Sequence, residues 1–151
     1  MADEVDTINF IVSEYSYEKF MMMFILGTTG DAMDYKMNFF FTFWGLFNLK
    51  KKGIPKGKPK VRNMPWNLMP PMSGLATKVF KKKMKNFGIE DPLALLKEGV
   101  EGGNIKLIPC QMTMDLMGIK IEDMYDFVSE PVGAATFLEM NTGPNTRIVS
   151  L

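Results

Sequence analysis

The side chain with the clearest chemical potential in this chain of 151 residues is Cys110, its single cysteine. It follows the apolar run Ile105-Lys106-Leu107-Ile108-Pro109 and precedes Gln111-Met112-Thr113-Met114-Asp115-Leu116-Met117, which Gly118 closes. The first run reads as a strand and the second as a short helix stopped by glycine. A thiol at that junction stands at a helix N-terminus, where the N–H groups of Gln111, Met112 and Thr113 are expected to face it. Such a field favours the anion and can lower a thiol pKa from about 8.5 towards neutrality. The thiolate is the nucleophile, so a reactive sulfur here needs no histidine base. The same position also suits an inert residue, because free cysteine is among the most buried side chains. The residues alone leave both readings open.

Composition removes several other chemistries. The chain has no histidine, which excludes a Ser-His-Asp triad, a Cys-His pair and any histidine-ligated metal. One cysteine excludes an intrachain disulfide and any cysteine cluster for zinc or iron–sulfur. The fifteen methionines, among them Met21-Met22-Met23 and Met112, Met114 and Met117, suit irregular cores and adaptable interfaces better than a soft-metal site. Neither a metal nor a cofactor is expected. Gly27 and Gly30 follow a helical pattern rather than a strand, so they read as close helix packing and not as a phosphate loop.

The elements that must position Cys110 alternate in type. Strands are expected over Val5–Val12, over Met37–Phe43 with continuation into Trp44-Gly45-Leu46, over Ile105–Pro109 and over Thr146–Leu151. Helices are expected from Glu18 to about Tyr35, from Ser73 to near Phe87, and from Asp91-Pro92 to Glu101 before Gly102-Gly103. Shorter ones follow at Gln111–Met117 and Pro131–Met140, with a further turn at Ile121–Met124. This predicts one α/β domain with a mostly parallel sheet. Ligands in such sheets bind beyond the carboxyl ends of the strands, near the switch in strand order. Those ends supply Ser13, Glu14 and Tyr15, then Thr42, Phe43 and Trp44, and finally Cys110. Tyr15 and Trp44 suit walls that limit water access, although aromatics at strand ends also serve as plain packing.

The formal charge is +1, from eighteen basic and seventeen acidic residues, yet it is divided sharply. Residues 50–85 hold twelve of the bases and no acid, giving +12, while the remainder carries −11. Pro55, Pro59, Pro65, Pro70 and Pro71 mark about 50–72 as an excursion loop. Lys78, Lys81, Lys82, Lys83 and Lys85 then occupy one side of the next helix. The default reading is a solvated face; the alternative is docking to an anionic partner or, more weakly, to a membrane surface. No nucleic acid is expected. The apolar stretch Phe39–Phe47 falls well short of the roughly 18 residues that span a bilayer, so no transmembrane segment is expected. An acidic start without a basic-then-apolar leader, together with the lone thiol, fits a cytoplasmic protein.

The segments FFFTFWGLFNLKKKG (Phe39–Gly53), CQMTMDLMGI (Cys110–Ile119) and PVGAATFLEM (Pro131–Met140) together resemble the DsrE/DsrF-like family. The likeness is to its DsrE-like branch, often labelled peroxiredoxin-like, and runs over roughly residues 5–141. The resemblance implies a single Rossmann-like domain with helices on both faces of the sheet, assembled as a homo-oligomer (trimer, tetramer or hexamer). It also implies a cysteine that carries sulfur as a persulfide between a donor, such as a rhodanese-like protein, and a small sulfur-carrier protein. By motif that cysteine is Cys110, with Gln111, Met112, Thr113 and Asp115 at the following positions and Trp44-Gly45 as the tryptophan-glycine pair. Two departures limit the inference. There is no second cysteine, so any transfer must end on a partner thiol. Leu107 stands where a peroxidatic site usually places threonine, so peroxidase activity is not expected. The expectation is a sulfur-relay protein. Its rival is a homo-oligomeric binding module for a small anionic or nucleotide-like ligand, with Cys110 structural.

Overall fold

Runs of β-branched and aromatic residues, bounded by polar turns, form strands β1 (Thr7–Val12), β2 (Lys36–Phe41) and β3 (Ile105–Pro109), with β4 (Thr146–Ser150) near the end. The computed structural model describes residues 6–51, 73–89 and 91–151, so Val5 and the excursion loop beyond Lys51 lie outside the described residues. The four strands make one parallel sheet in the order β3-β2-β1-β4. Val12 stands opposite Phe41 at the carboxyl end of β1 and β2, and Phe41 stands opposite Pro109 across to β3.

Parallel neighbours require crossovers, and helices supply them. Helix α1 (Tyr17–Ala32) joins β1 to β2, and α2 (Ser73–Asn86) with α3 (Pro92–Gly102) lies between β2 and β3. Helices α4 (Gln111–Met117) and α5 (Ala134–Glu139) lie between β3 and β4. Capping holds the helix ends locally. Ser16, not singled out in the sequence, caps α1, its hydroxyl accepting the Lys19 N–H at 3.2 Å. The Asp91 carboxylate caps α3 by accepting from Leu93 and Ala94 at 3.1 and 3.3 Å, and Gly103 ends that helix at φ 90°. Helix α1 stops three residues before Tyr35, which lies past a turn whose Asp34 has φ 59°.

Side chains alternate between the sheet's two faces. One face presents Phe10, Val12, Met37, Phe39, Phe41, Ile105 and Leu107 to a large cluster that includes Met23 and Phe24 of α1 and Leu96 of α3. A Cβ on Gly27 would come within 3.3 Å of the Phe39 ring, so glycine lets α1 lie close to the sheet. The other face presents Ile11, Phe40 and Ile108, with Cys110 beyond the end of β3, to a small cluster closed by Phe137 of α5. Helices thus lie on both faces of a single α/β domain, and very unequally. Among the described elements, six-residue α5 is the helix of the second face.

Two expected elements are corrected. The run Met37–Leu46 is not one strand: β2 ends at Phe41, and Phe43–Leu49 winds into a 3₁₀ helix. Phe43 has φ 46°, and a Cβ on Gly45 would collide with the Val12 carbonyl, so the chain turns sharply over the end of β1. The helix expected over Pro131–Met140 begins only at Ala134. Before it, Val132 is extended and pairs in parallel with Cys110. No helix among the described residues is long and apolar enough to cross a membrane.

Candidate functional site

Cys110 is fixed by its backbone on both sides. Its N–H donates to the Phe41 carbonyl at 2.9 Å, and its carbonyl accepts the Met114 N–H at 3.0 Å, which opens α4. It therefore sits at the end of β3 and the head of α4, the junction expected from sequence. One of the three N–H groups expected to face the sulfur is already used. Gln111 donates its N–H to Val132 at 3.1 Å, and Val132 donates in turn to Pro109 at 3.0 Å. The Cys110 side chain makes no capping hydrogen bond.

The residues after the cysteine divide by face. Thr113 is buried, its hydroxyl 2.9 Å from that of Thr42, and it also accepts the Phe43 N–H at 3.4 Å. It therefore ties the end of β2 to α4. Gln111 turns outward and donates to the Asp115 carboxylate at 2.9 Å, one helical turn on. Met112 and Leu116 stand 71% and 73% exposed on the same helix, an unusual display of large apolar side chains.

The sulfur itself is covered. Cys110 is only 5% exposed, in a cluster with Phe40, Ile108 and Phe137, flanked by Ile11, Val132 and Met140. Phe137 stacks on Phe40. Behind this cluster runs a row of amides. Asn38 donates to Asn9 at 2.8 Å, Asn9 donates to Asn141 at 2.7 Å, and Asn141 donates to the Phe137 carbonyl at 2.6 Å. Phe137, Val132 and these asparagines were not among the candidates from sequence. The available signals were asparagines inside two apolar strands and a β-branched residue ahead of Gly133.

The remaining candidates gather elsewhere. Trp44, 59% exposed, stacks on Phe47 at 5.9 Å, and Tyr15 meets the same ring edge-on at 6.1 Å. Phe47 packs with the large cluster of the opposite face, so these aromatics form their own group. Burial, and secondarily Tyr125, pushes the Tyr15 phenol up to about 12. Ser13 and Glu14 contribute carbonyls, which accept from Gly45 at 3.1 Å and from the Asn48 side chain at 3.1 Å; the Glu14 residue is exposed. β1 lies two strands from β3, about 10 Å at ordinary strand spacing. The switch in strand order falls between β1 and β4, whereas Cys110 ends the edge strand β3, so the thiol is not at the switch.

Leu107 is buried in the large cluster, on the face away from Cys110. Among the described residues no three His, Cys, Asp or Glu side chains group as metal ligands. The basic segment starts at the carboxyl edge of the sheet. Lys50 pairs antiparallel with Met124, its ammonium 5.9 Å from the Phe47 ring centre, and Lys51 forms an ion pair with Asp126.

Comparison with known proteins adds an independent line. The model of the DsrE/DsrF/DrsH-like family matches residues 4–148. A sulfur carrier protein, DsrE2 of Allochromatium vinosum, is 37% identical, over 77% of this chain and 80% of that protein. The uncharacterized protein YrkE of Bacillus subtilis is 27% identical over 91% of this chain and 92% of its own. Two solved structures share the fold. A protein of unknown function from Methanobacterium thermoautotrophicum has a TM-score of 0.58 at 9% identity, covering 97% of this chain and 99% of that one. The ychN protein of E. coli has a TM-score of 0.54 at 12% identity, covering 97% and 100%.

Proposed function

This chain belongs to the DsrE/DsrF/DrsH-like family, and from that premise we propose that it is a sulfur-relay protein whose Cys110 carries sulfane sulfur as a persulfide. The observation that carries the reading is the placement of the one cysteine at a β3–α4 junction in a relative of a sulfur carrier protein. The Cys110 thiolate attacks a sulfane sulfur of a donor such as a polysulfide. A new S–S bond forms on Cys110, the donor's S–S bond breaks, and the shortened donor leaves with the electron pair, as a shorter polysulfide anion or, from a protein persulfide, as a thiolate. An acceptor thiolate then attacks the outer sulfur, takes it as its own persulfide and releases the Cys110 thiolate. No net oxidation or reduction occurs, so a single cysteine suffices.

The partners in this reading are a sulfur donor, for example a rhodanese-like protein, and a small carrier protein, in the cytoplasm. The anchoring of Lys50 and Lys51 beside the sheet's carboxyl edge supports an anionic donor or an acidic carrier as the docking species. Exposed Met112 and Leu116 on α4 and Leu138 on α5, with little helical cover on the second sheet face, support a homo-oligomer. Sedimentation should return a multiple of 17.2 kDa.

The test is intact mass after incubation with polysulfide. Wild type should gain the mass of one or more sulfur atoms, reversibly with excess thiol, and Cys110→Ser should not. No adduct, or an equal adduct on the serine variant, would sink the reading. The 5% exposure of Cys110 favours a second reading, an oligomeric binding module in which the cysteine only packs. There the thiol should resist iodoacetamide until the protein unfolds.

A further inference from the structure

We propose that α5 is a lid over Cys110 and that the amide row Asn38–Asn9–Asn141 is its latch. The lid's purpose, to admit a sulfur donor and shield the loaded sulfur, rests on the relay reading; its mechanics do not.

Helix α5 has little to hold it in place by itself. It is six residues long, and its N-cap, Gly133, offers no side chain to bond the first turn. Helices this short are unstable alone and persist through tertiary contacts. Its face toward the protein is Phe137, only 3% exposed, while Ala134, Ala135, Thr136, Leu138 and Glu139 are exposed. Phe137 and the following Met140 pack into the cluster that contains Cys110. The polar tether is Asn141, just past the helix. Its side chain accepts from Asn9 in β1 and donates to the carbonyl of Phe137 itself.

The amides are not explained by packing. Asn9 is fully buried and Asn38 nearly so, directly opposite each other in strands that are apolar apart from them and the opening Thr7 and Lys36. Burying an amide is costly unless its hydrogen bonds are made, and valine or isoleucine would suit the sheet as well. What the row supplies is direction. Asn38 holds Asn9, Asn9 holds Asn141, and Asn141 holds the residue whose ring covers the sulfur. A polar latch over a small apolar contact can release locally while the large cluster on the opposite face stays intact. Opening lets a polysulfide reach Cys110, and closing keeps free thiols from stripping the persulfide.

The experiment is the rate at which iodoacetamide modifies Cys110 in the full chain, at fixed pH and increasing sub-denaturing urea, beside the global urea-unfolding curve. Wild type should label slowly, with a urea dependence much weaker than that of global unfolding. Asn141→Ala should label about tenfold faster, the loss of roughly one net hydrogen bond, at a nearly unchanged slope with urea. Labelling of Asn141→Ala at the wild-type rate would overturn the latch. Wild-type labelling that tracks global unfolding would overturn the lid. Hydrogen exchange on wild type guards against a variant that fails to fold: the Phe137 and Met140 amides should exchange well ahead of those of Phe39 and Ile11, and equal protection would overturn the proposal. Iodoacetamide carries no sulfane sulfur, so a failure of persulfide formation and a failure of the lid are read separately.

Discussion

Phe137 of α5 lies almost flat on Phe40 of β2, with ring centroids 4.3 Å apart and planes inclined by 12°. The two rings belong to the cluster that buries Cys110, so the cover of the sulfur and the stability of the second face share one contact. Phe137→Ala should therefore cost about 3 kcal/mol, the usual range for a buried phenylalanine cut to alanine. It should also expose the thiol. Urea unfolding measures the first effect, and an unchanged midpoint would show that α5 adds nothing to the fold.

Gly45 and Gly102 make a paired test of backbone approach. A Cβ on Gly45 meets the Val12 carbonyl and comes 3.3 Å from the Ser13 Cα, and neither can swing aside as a side chain would. Gly45→Ala should destabilise by about 1–3 kcal/mol through overpacking. At Gly102, the last residue of α3, the added carbon would meet nothing among the described residues within 4 Å beyond its chain neighbours and the helix's own backbone. Gly102→Ala should be neutral or gain up to about 1 kcal/mol from helix propensity. Thermal melts of both variants check the contrast, and equal shifts would refute it.

That contrast also marks how far the sequence could be read. Strands β1 and β3 were legible because their apolar runs end at polar or helix-starting residues, and α3 because Asp91-Pro92 and Gly103 bracket it. The strand-to-helix change in pattern likewise marks Cys110 as the β3–α4 junction. An apolar aromatic run looks alike as strand or 3₁₀ helix, so β2 reads on through Trp44 although it ends at Phe41. What separates the two is a distant contact, Gly45 against Val12. Val132 looked helical among small residues, yet the open edge beside Cys110 recruits it as strand. The cover over the sulfur depends on Asn141 reaching Asn9 across 132 positions, which no local pattern encodes.

Tyr15 should leave a mark at high pH. Its phenol titrates at about 12 in the folded protein against 10.0 ordinarily, first through burial and then through Tyr125. The neutral phenol is thus favoured by folding. Its contribution is complete below pH 10.0 and is lost as the pH rises towards about 12, where the folded form also ionises. Tyr15→Phe should flatten the fall in stability across that window. It should also remove a late step from the phenolate absorbance titration. A titration identical to wild type would refute the assignment.

The hydroxyls of Thr42 and Thr113, 2.9 Å apart, join the end of β2 to α4 one turn past Cys110. Thr113 is also the acceptor for the Phe43 N–H, at the residue where the backbone turns with φ 46°. Thr113→Val should cost about 1–2 kcal/mol, because it strands both a hydroxyl and an amide with no replacement partner. Thr42→Val should cost less, about 1 kcal/mol, since Thr42 is only half-buried. The double variant should fall short of their sum by about 0.5–1.5 kcal/mol, the coupling expected of two groups that bond each other. Cys110 labelling should barely respond, because Phe137 clusters with Cys110 whereas the Thr113 hydroxyl is bonded to Thr42 and Phe43. Thr113→Val would then lower the urea midpoint without opening the thiol, the reverse of Asn141→Ala. An additive cycle would mean that each hydroxyl bonds water rather than the other, and α4 would lose its tie to β2.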